Sequence, residues 1–164
     1  IMEEVIKHAH RGGYVFGVCN GLQILTEAGL VPGALLRNHT GKFICKNVNL
    51  VRGSGLSPMT AGLSETGVYQ IPIAHGEGRY HADEDTLKAL NDNGQVMFRY
   101  AEADGAITPE ANPNGSVQNI AGVCSNTRNV MGMMPHPERA ADANLLNTDG
   151  VALFESLLQY TVSL

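Results

Sequence analysis

The segment Tyr14-Val15-Phe16-Gly17-Val18-Cys19-Asn20-Gly21-Leu22-Gln23-Ile24-Leu25-Thr26-Glu27-Ala28 decides how this chain is read. A short apolar run ends at Val18, a thiol follows with a glycine two positions to either side, and an amphipathic stretch begins at once. Short, continuously apolar runs suit strands buried on both faces. The pattern therefore predicts a strand over 14–18, a sharp turn at Cys19 and a helix over 21–29. This is the form of a nucleophile elbow with cysteine in place of serine. Gly17 and Gly21 are expected to relieve crowding at a strained turn. The helix would aim its free N–H groups and the positive end of its dipole at the sulfur, which favours the thiolate.

Outward from the elbow, Met2, Val5, Ile6 and Ala9 recur at helical spacing, so residues 1–11 read as a helix ended by Arg11-Gly12-Gly13. Strands are predicted over 43–51, 68–74 (interrupted by Pro72), 95–101, 119–124 and 129–134, the last two around the turn 125–128. Residues 53–67 read as loop, 82–90 as a short helix and 112–116 as a turn. Near the C-terminus, Val151, Phe154, Leu157, Leu158 and Val162 define one face of a helix that would cover a sheet. With no repeat and no linker, residues 1–164 read as one domain, an α/β sheet with helices on each side.

Composition limits the function. The 164 residues are 43% hydrophobic and 16% charged with a net charge of −5, so the chain is globular and has no basic run to attract nucleic acid or an anionic membrane. No apolar stretch approaches the roughly 20 residues that span a bilayer, and no leader is visible. The three cysteines, Cys19, Cys45 and Cys124, lack metal-ligand spacing, and a reducing cytoplasm fits them best. Cys45 and Cys124 lie in apolar strand patterns and read as packing, while His8, His10, His39 and His81 read as solvated. Asn38-His39-Thr40 and Asn114-Gly115-Ser116 match the glycosylation pattern by chance.

A second motif stands far downstream: Met133-Met134-Pro135-His136-Pro137-Glu138. A predicted strand runs into it, placing His136 at a strand's carboxyl end, where ligand and catalytic groups collect in open α/β sheets. His136 can take the proton from a thiol and return it to a leaving amine. Glu138 can hold the other ring nitrogen. Cys19, His136 and Glu138 thus form a nucleophile, base and orienting group.

These residues resemble the class I glutamine amidotransferases, which use a cysteine elbow and a distant His-x-Glu to hydrolyse the side-chain amide of glutamine. The form Gly17-Val18-Cys19-Asn20-Gly21 with Gln23 is similar to one branch, the glutaminase component of phosphoribosylformylglycinamidine synthase. Pro72-Ile73-Ala74-His75-Gly76-Glu77-Gly78, Asn112-Pro113-Asn114-Gly115-Ser116 and Met134-Pro135-His136-Pro137-Glu138-Arg139 support the same branch. The resemblance implies a flavodoxin-like, three-layer α/β/α sandwich with a mostly parallel central sheet. It implies Cys19 as the nucleophile that forms a glutamyl thioester, His136 as base and acid, and Glu138 as its orienting partner. Asn20 and Gly21 would lie at the oxyanion, Gln23 would contact substrate, and His75 and Gly76 would wall the bound L-glutamine. No metal or cofactor is implied in this chain; ATP and magnesium would belong to a large synthetase subunit, with a small bridging subunit as a further partner. The resemblance also implies a strand, a helix and a glycine-rich loop ahead of Ile1, so the chain is read as an N-terminally truncated domain.

Overall fold

Val18, the last residue of the elbow strand, lies opposite Met133, and the two strands that carry them run parallel. The computed structural model describes residues 1–145 and 147–162. In chain order the elements are α1 (Met2–His10), β1 (Val15–Val18), α2 (Asn20–Glu27), β2 (Ala34–Leu36), β3 (Ile44–Arg52), β4 (Val68–His75), β5 (Arg79–His81), α3 (Glu84–Asp92), β6 (Val96–Ala101), β7 (Ile120–Cys124), β8 (Val130–Met133) and α4 (Asp149–Val162). Six strands form one sheet in the order β1-β8-β7-β6-β3-β4, and β2 pairs with β5 in a small second sheet.

The fold is α/β, but its sheet is mixed. Only β1 and β8 are parallel; β8–β7, β7–β6, β6–β3 and β3–β4 are antiparallel. This corrects the mostly parallel, flavodoxin-like sheet expected above. A parallel pair needs a crossover, usually a helix, between its strands. Here no helix separates β3 from β4, β7 from β8, or β6 from β7, apart from one 3-10 turn over Val117–Asn119. The chain therefore folds back beside itself.

Side chains alternate between two cores on the two faces of the sheet. Leu50, Ile71, Ile73, Met97, Tyr100, Met131 and Met133 meet Leu153 of α4 on one side. Ile120, Val123 and Val130 meet Ala9 of α1, Leu22 and Leu25 of α2, and Leu87 and Leu90 of α3 on the other. Asn129 ties α1 down by donating to Ala9 O and Gly13 O, each at 2.8 Å. Asp83 caps α3 by accepting from the Thr86 N–H at 2.7 Å.

Three local readings change. Pro72 does not interrupt its strand: β4 is continuous from Val68 to His75 at the edge of the sheet, where the missing N–H points away from the ladder. The α4 face is rotated: Leu153 and Ser156 are buried, while Leu158 and Val162 are exposed. Ser156 is polar yet faces inward, donating to Pro58 O at 2.8 Å and accepting from the Gly62 N–H at 2.9 Å. Cys45 is exposed, not packed, whereas Cys124 is buried and its thiol is pushed up to about 11 by burial.

Candidate active site

The elbow is strained as its sequence suggests. Cys19 precedes α2 with φ +52° and ψ −107°, a left-handed conformation rare for a residue with a Cβ. Gly17 is needed there, because a Cβ on it would lie 2.6 Å from the backbone carbon of Gly21. Gly21 is different: a Cβ on it would meet nothing within 4 Å. The crowding is one-sided, set by the strand residue and not by the helix residue.

The Cys19 N–H donates to Met133 O at 2.8 Å, which continues the β1–β8 pairing to Cys19 itself. Its thiol donates to Ala74 O at 3.9 Å. Burial pushes this thiol above its ordinary value; the Asn20 N–H and the Arg139 charge pull it down by less, and Glu138 adds to the rise. The expected bias toward thiolate is thus outweighed in the resting site. The helix end contributes in the right direction, but desolvation wins.

His136 follows β8 by three residues and is held through its backbone N–H, which donates to Pro72 O at 2.8 Å. Its Nδ1 lies 2.6 Å from Glu138 Oε1, and Arg139 Nε lies 3.6 Å from the same oxygen. A carboxylate accepts only, so Nδ1 carries the proton in this pair and a neutral ring presents Nε2 as a lone pair. That Nε2 is buried and has no hydrogen-bond partner among the described residues. An unpartnered buried acceptor costs about 1–3 kcal/mol. It is an atom available to a thiol proton or to a substrate.

The remaining sequence-derived positions divide. Gln23, one helical turn beyond Cys19, donates through Nε2 to Glu77 Oε2 at 3.5 Å. Gly76 is partly exposed, next to Phe43. His75 is 4% exposed, and its Nδ1 lies 3.1 Å from Asn38 Oδ1. Burial lowers its basicity. Its packing partner is Asn38, so the ring braces the turn after β4. Among the described residues, no group of three or more His, Cys, Asp or Glu side chains is arranged to hold a metal ion.

Comparison with known proteins identifies the family. The model of the CobB/CobQ-like glutamine amidotransferase domain matches residues 1–155. The chain is 55% identical to the phosphoribosylformylglycinamidine synthase subunit PurQ of Koribacter versatilis, over 96% of this chain and 68% of that protein. It is 55% identical to the PurQ subunit of Synechocystis, over 95% of this chain and 70% of that one. The chain belongs to the PurQ-type glutamine amidotransferases. A solved structure of PurLQS from Thermotoga maritima superimposes with a TM-score of 0.81 at 41% identity, covering 96% of this chain and 66% of the matched one. The chain thus spans about two thirds of the length of the relatives it matches.

Two asparagines that the sequence does not single out as site residues organise the turn after β4. Asn38 is 2% exposed; its Nδ2 donates to His75 O at 2.9 Å and Lys42 O at 2.8 Å, and its Oδ1 accepts from the Gly78 N–H at 3.1 Å. Asn114 is fully buried and donates to Gly78 O at 2.8 Å. Asn38 figures in the sequence only within a chance glycosylation match, whereas Asn114 also belongs to the Asn112–Ser116 turn that carries the resemblance. The usable signal was their company, since each sits among small and turn-forming residues where a polar side chain must bond backbone.

Proposed function

We propose that residues 1–164 act as the amidotransferase domain of a cytoplasmic phosphoribosylformylglycinamidine synthase, releasing ammonia from L-glutamine for a synthetase subunit. The observation that carries this reading is the buried Nε2 of His136, without a partner among the described residues and backed at Nδ1 by Glu138, on the segment that follows the strand paired with the Cys19 strand. In this reading His136 Nε2 takes the Cys19 proton as sulfur attacks the side-chain amide carbon of glutamine. The N–H groups of Asn20 and Gly21 face the developing oxyanion at the start of α2. The ring then returns the proton to the amide nitrogen. The C–N bond breaks, ammonia leaves and a glutamyl thioester remains. His136 next removes a proton from water, which cleaves the thioester to glutamate and restores the thiol. Burial favours the protonated sulfur, so in this reading His136 acts in the attack step as well as at the leaving group.

In this reading Gln23 contacts the substrate and Gly76 and His75 wall it, with His75 acting through the Asn38 contact that braces its turn. The chain's own step needs no cofactor; ATP and magnesium belong to the synthetase, with a small bridging subunit as a third component. The experiment uses the complete protein, alone and with the synthetase and its substrates. Glutamine hydrolysis should be weak alone and rise in the complex, Cys19→Ala should abolish it, and a diazo-ketone analogue of glutamine should label Cys19. Label on Cys45 or Cys124, or equal turnover with and without every synthetase tested, would overturn the reading.

A further inference from the structure

Beside the small β2–β5 sheet lies a cavity of about 300 Å³, with His39, Asn112, Gly115, Gln118 and Asn119 in its lining. The chemistry above uses none of these residues. One side is backbone under strain: Gln118 and Asn119 are adjacent and both left-handed, with φ +51° and +56°, where residues with a Cβ rarely sit. Arg99 holds this kink by donating to Gln118 O at 2.5 Å, and Asn119 Nδ2 anchors it on Tyr100 O at 3.1 Å and Thr108 O at 2.7 Å. Asn91 Nδ2 donates to Gln118 Oε1 at 3.0 Å, which leaves the Gln118 Nε2 donor without a partner among the described residues. The other side is the turn at Gly115. A Cβ there would lie 2.9 Å from His39 Cβ and 3.2 Å from Arg79 Cδ, so both side chains run against the turn. Arg79 Nε is buried, and the guanidinium has no hydrogen-bond or ion-pair partner among the described residues. The His39 ring has none either.

We propose that Arg79, His39 and Gln118 form a phosphate-binding site, filled by free phosphate or by the phosphate group of a small monoester. The chain carries 11 Lys and Arg against 16 Asp and Glu, so Arg79 does not lack a carboxylate because acids are scarce. A guanidinium stays charged at any working pH, and a buried donor left unpaired on it is costly. The amides of Asn112 and Asn119 are spent within the turn: Asn112 Nδ2 donates to Ser116 O at 2.7 Å and to Asn119 Oδ1 at 3.1 Å. What remains is a guanidinium, an imidazole and an amide NH₂, a set rich in N–H donors that suits an oxyanion. A carboxylate's two oxygens are used up by the fork of one arginine. A phosphate takes the same fork and keeps oxygens for His39 and Gln118. The cavity is larger than a phosphate group alone, which leaves room for the remainder of a monoester.

The site does not depend on the amidotransferase reading and is tested by binding alone. The complete protein is titrated with inorganic phosphate and with glycerol 3-phosphate, and binding is followed by phosphorus NMR line broadening. Saturable broadening is expected. Tighter binding of glycerol 3-phosphate would assign the site to a monoester, and equal or weaker binding would assign it to the free anion. Arg79→Gln should weaken binding by about tenfold or more, and Arg79→Lys should restore only part of the loss, because a point charge lacks the fork. His39→Ala and Gln118→Ala should each weaken binding severalfold. These two positions are exposed, so both variants test the site even where Arg79→Gln impairs folding. An absence of saturable binding in wild type, or unchanged affinity in Arg79→Gln or in both exposed-position variants, overturns the site. So does protection of Arg79 from phenylglyoxal by the synthetase in a protein that binds no phosphate, which would give the guanidinium to a partner's carboxylate.

Discussion

The Cys19 thiol and the His136 backbone N–H meet the same row of carbonyls on β4, at Ala74 and Pro72 respectively. These carbonyls are two residues apart on an edge strand, so both point outward from the ladder, roughly 6.7 Å apart. Cys19 comes from β1, at the far end of the sheet's strand order from β4. The sheet therefore curls, so that the end of β1 and the segment after β8 converge on β4. Pro72 is suited to this place: with no N–H to offer, it presents only an acceptor to the arriving His136.

The charge balance around the sulfur yields a first prediction. Arg139 pulls the Cys19 thiol down and Glu138 pushes it up, while burial sets the overall rise. Alkylation requires the thiolate, so its rate should climb with pH through a midpoint above the ordinary thiol value of about 8.5. Arg139→Met should move that limb to higher pH, and Glu138→Gln should move it to lower pH. The readout is the pH profile of iodoacetamide modification at Cys19, resolved by peptide mass. Shifts in the same direction for both variants would remove this account.

Glu138→Gln should show a second, separable effect. The carboxylate fixes the His136 ring at 2.6 Å, and an amide can present a donor to Nδ1, which selects the wrong tautomer. We expect Cys19 acylation by glutamine to slow by about 10²- to 10⁴-fold, even though the thiol has become more acidic. Single-turnover acylation measured beside the alkylation profile distinguishes the two effects.

The parts of this molecule legible in the sequence were those governed by local rules. The elbow at Cys19 was read from a strand, a thiol and two glycines, and the His136–Glu138 pair from a spacing of two. What was not legible depends on distant packing. The direction of the Cys19 shift is set by how much protein covers the sulfur, and no local pattern reports that. The antiparallel order of β3, β4, β6, β7 and β8 follows from the absence of crossover helices, which the strand pattern alone under-determined. The short β2–β5 sheet was missed because Ala34–Leu36 and Arg79–His81 are too brief to show alternation. The α4 face was misplaced because Ser156 turns inward to bond a loop that reads as structureless.

The one-sided crowding at the elbow separates its two glycines. A Cβ at residue 17 would press on the backbone of Gly21 at 2.6 Å, and backbone cannot step aside as a flexible side chain can. Gly17→Ala should destabilise the protein by about 1–3 kcal/mol and impair acylation through a displaced Cys19. Gly21→Ala, with open space at that position, should be tolerated in chemical denaturation. Equal losses for both would show that the elbow is tight on both sides.

Asn38 should behave as a keystone of the turn beside the site. Replacing it with leucine would strand the His75 and Lys42 carbonyls and the Gly78 N–H away from their partner. At about 1–3 kcal/mol for each of the two buried groups, the His75 carbonyl and the Gly78 N–H, the loss should be about 2 kcal/mol or more by denaturant titration. A surface asparagine bearing no such load would cost less than about 0.5 kcal/mol, and that result would refute the assignment.

His75 makes the same turn sensitive to acid. Asn38 Oδ1 is an acceptor that already serves the Gly78 N–H, so His75 Nδ1 must donate to it, leaving a buried Nε2 without a partner. Protonation would place a second N–H in that unpartnered position, and burial accordingly lowers the basicity of the ring. The sign follows directly. Below the ordinary histidine value of about 6.5, the unfolded chain binds a proton that the folded ring refuses, so this contribution to stability is present above that pH and is lost as the pH falls toward the lowered folded value. We expect the melting temperature to drop on acidification from about pH 7 to pH 5 more steeply in wild type than in His75→Gln, whose amide can still donate to Asn38 but does not titrate. Parallel slopes in the two proteins would show that the acid sensitivity, if any, arises elsewhere, and that the Asn38–His75 pair braces the turn without making it responsive to pH.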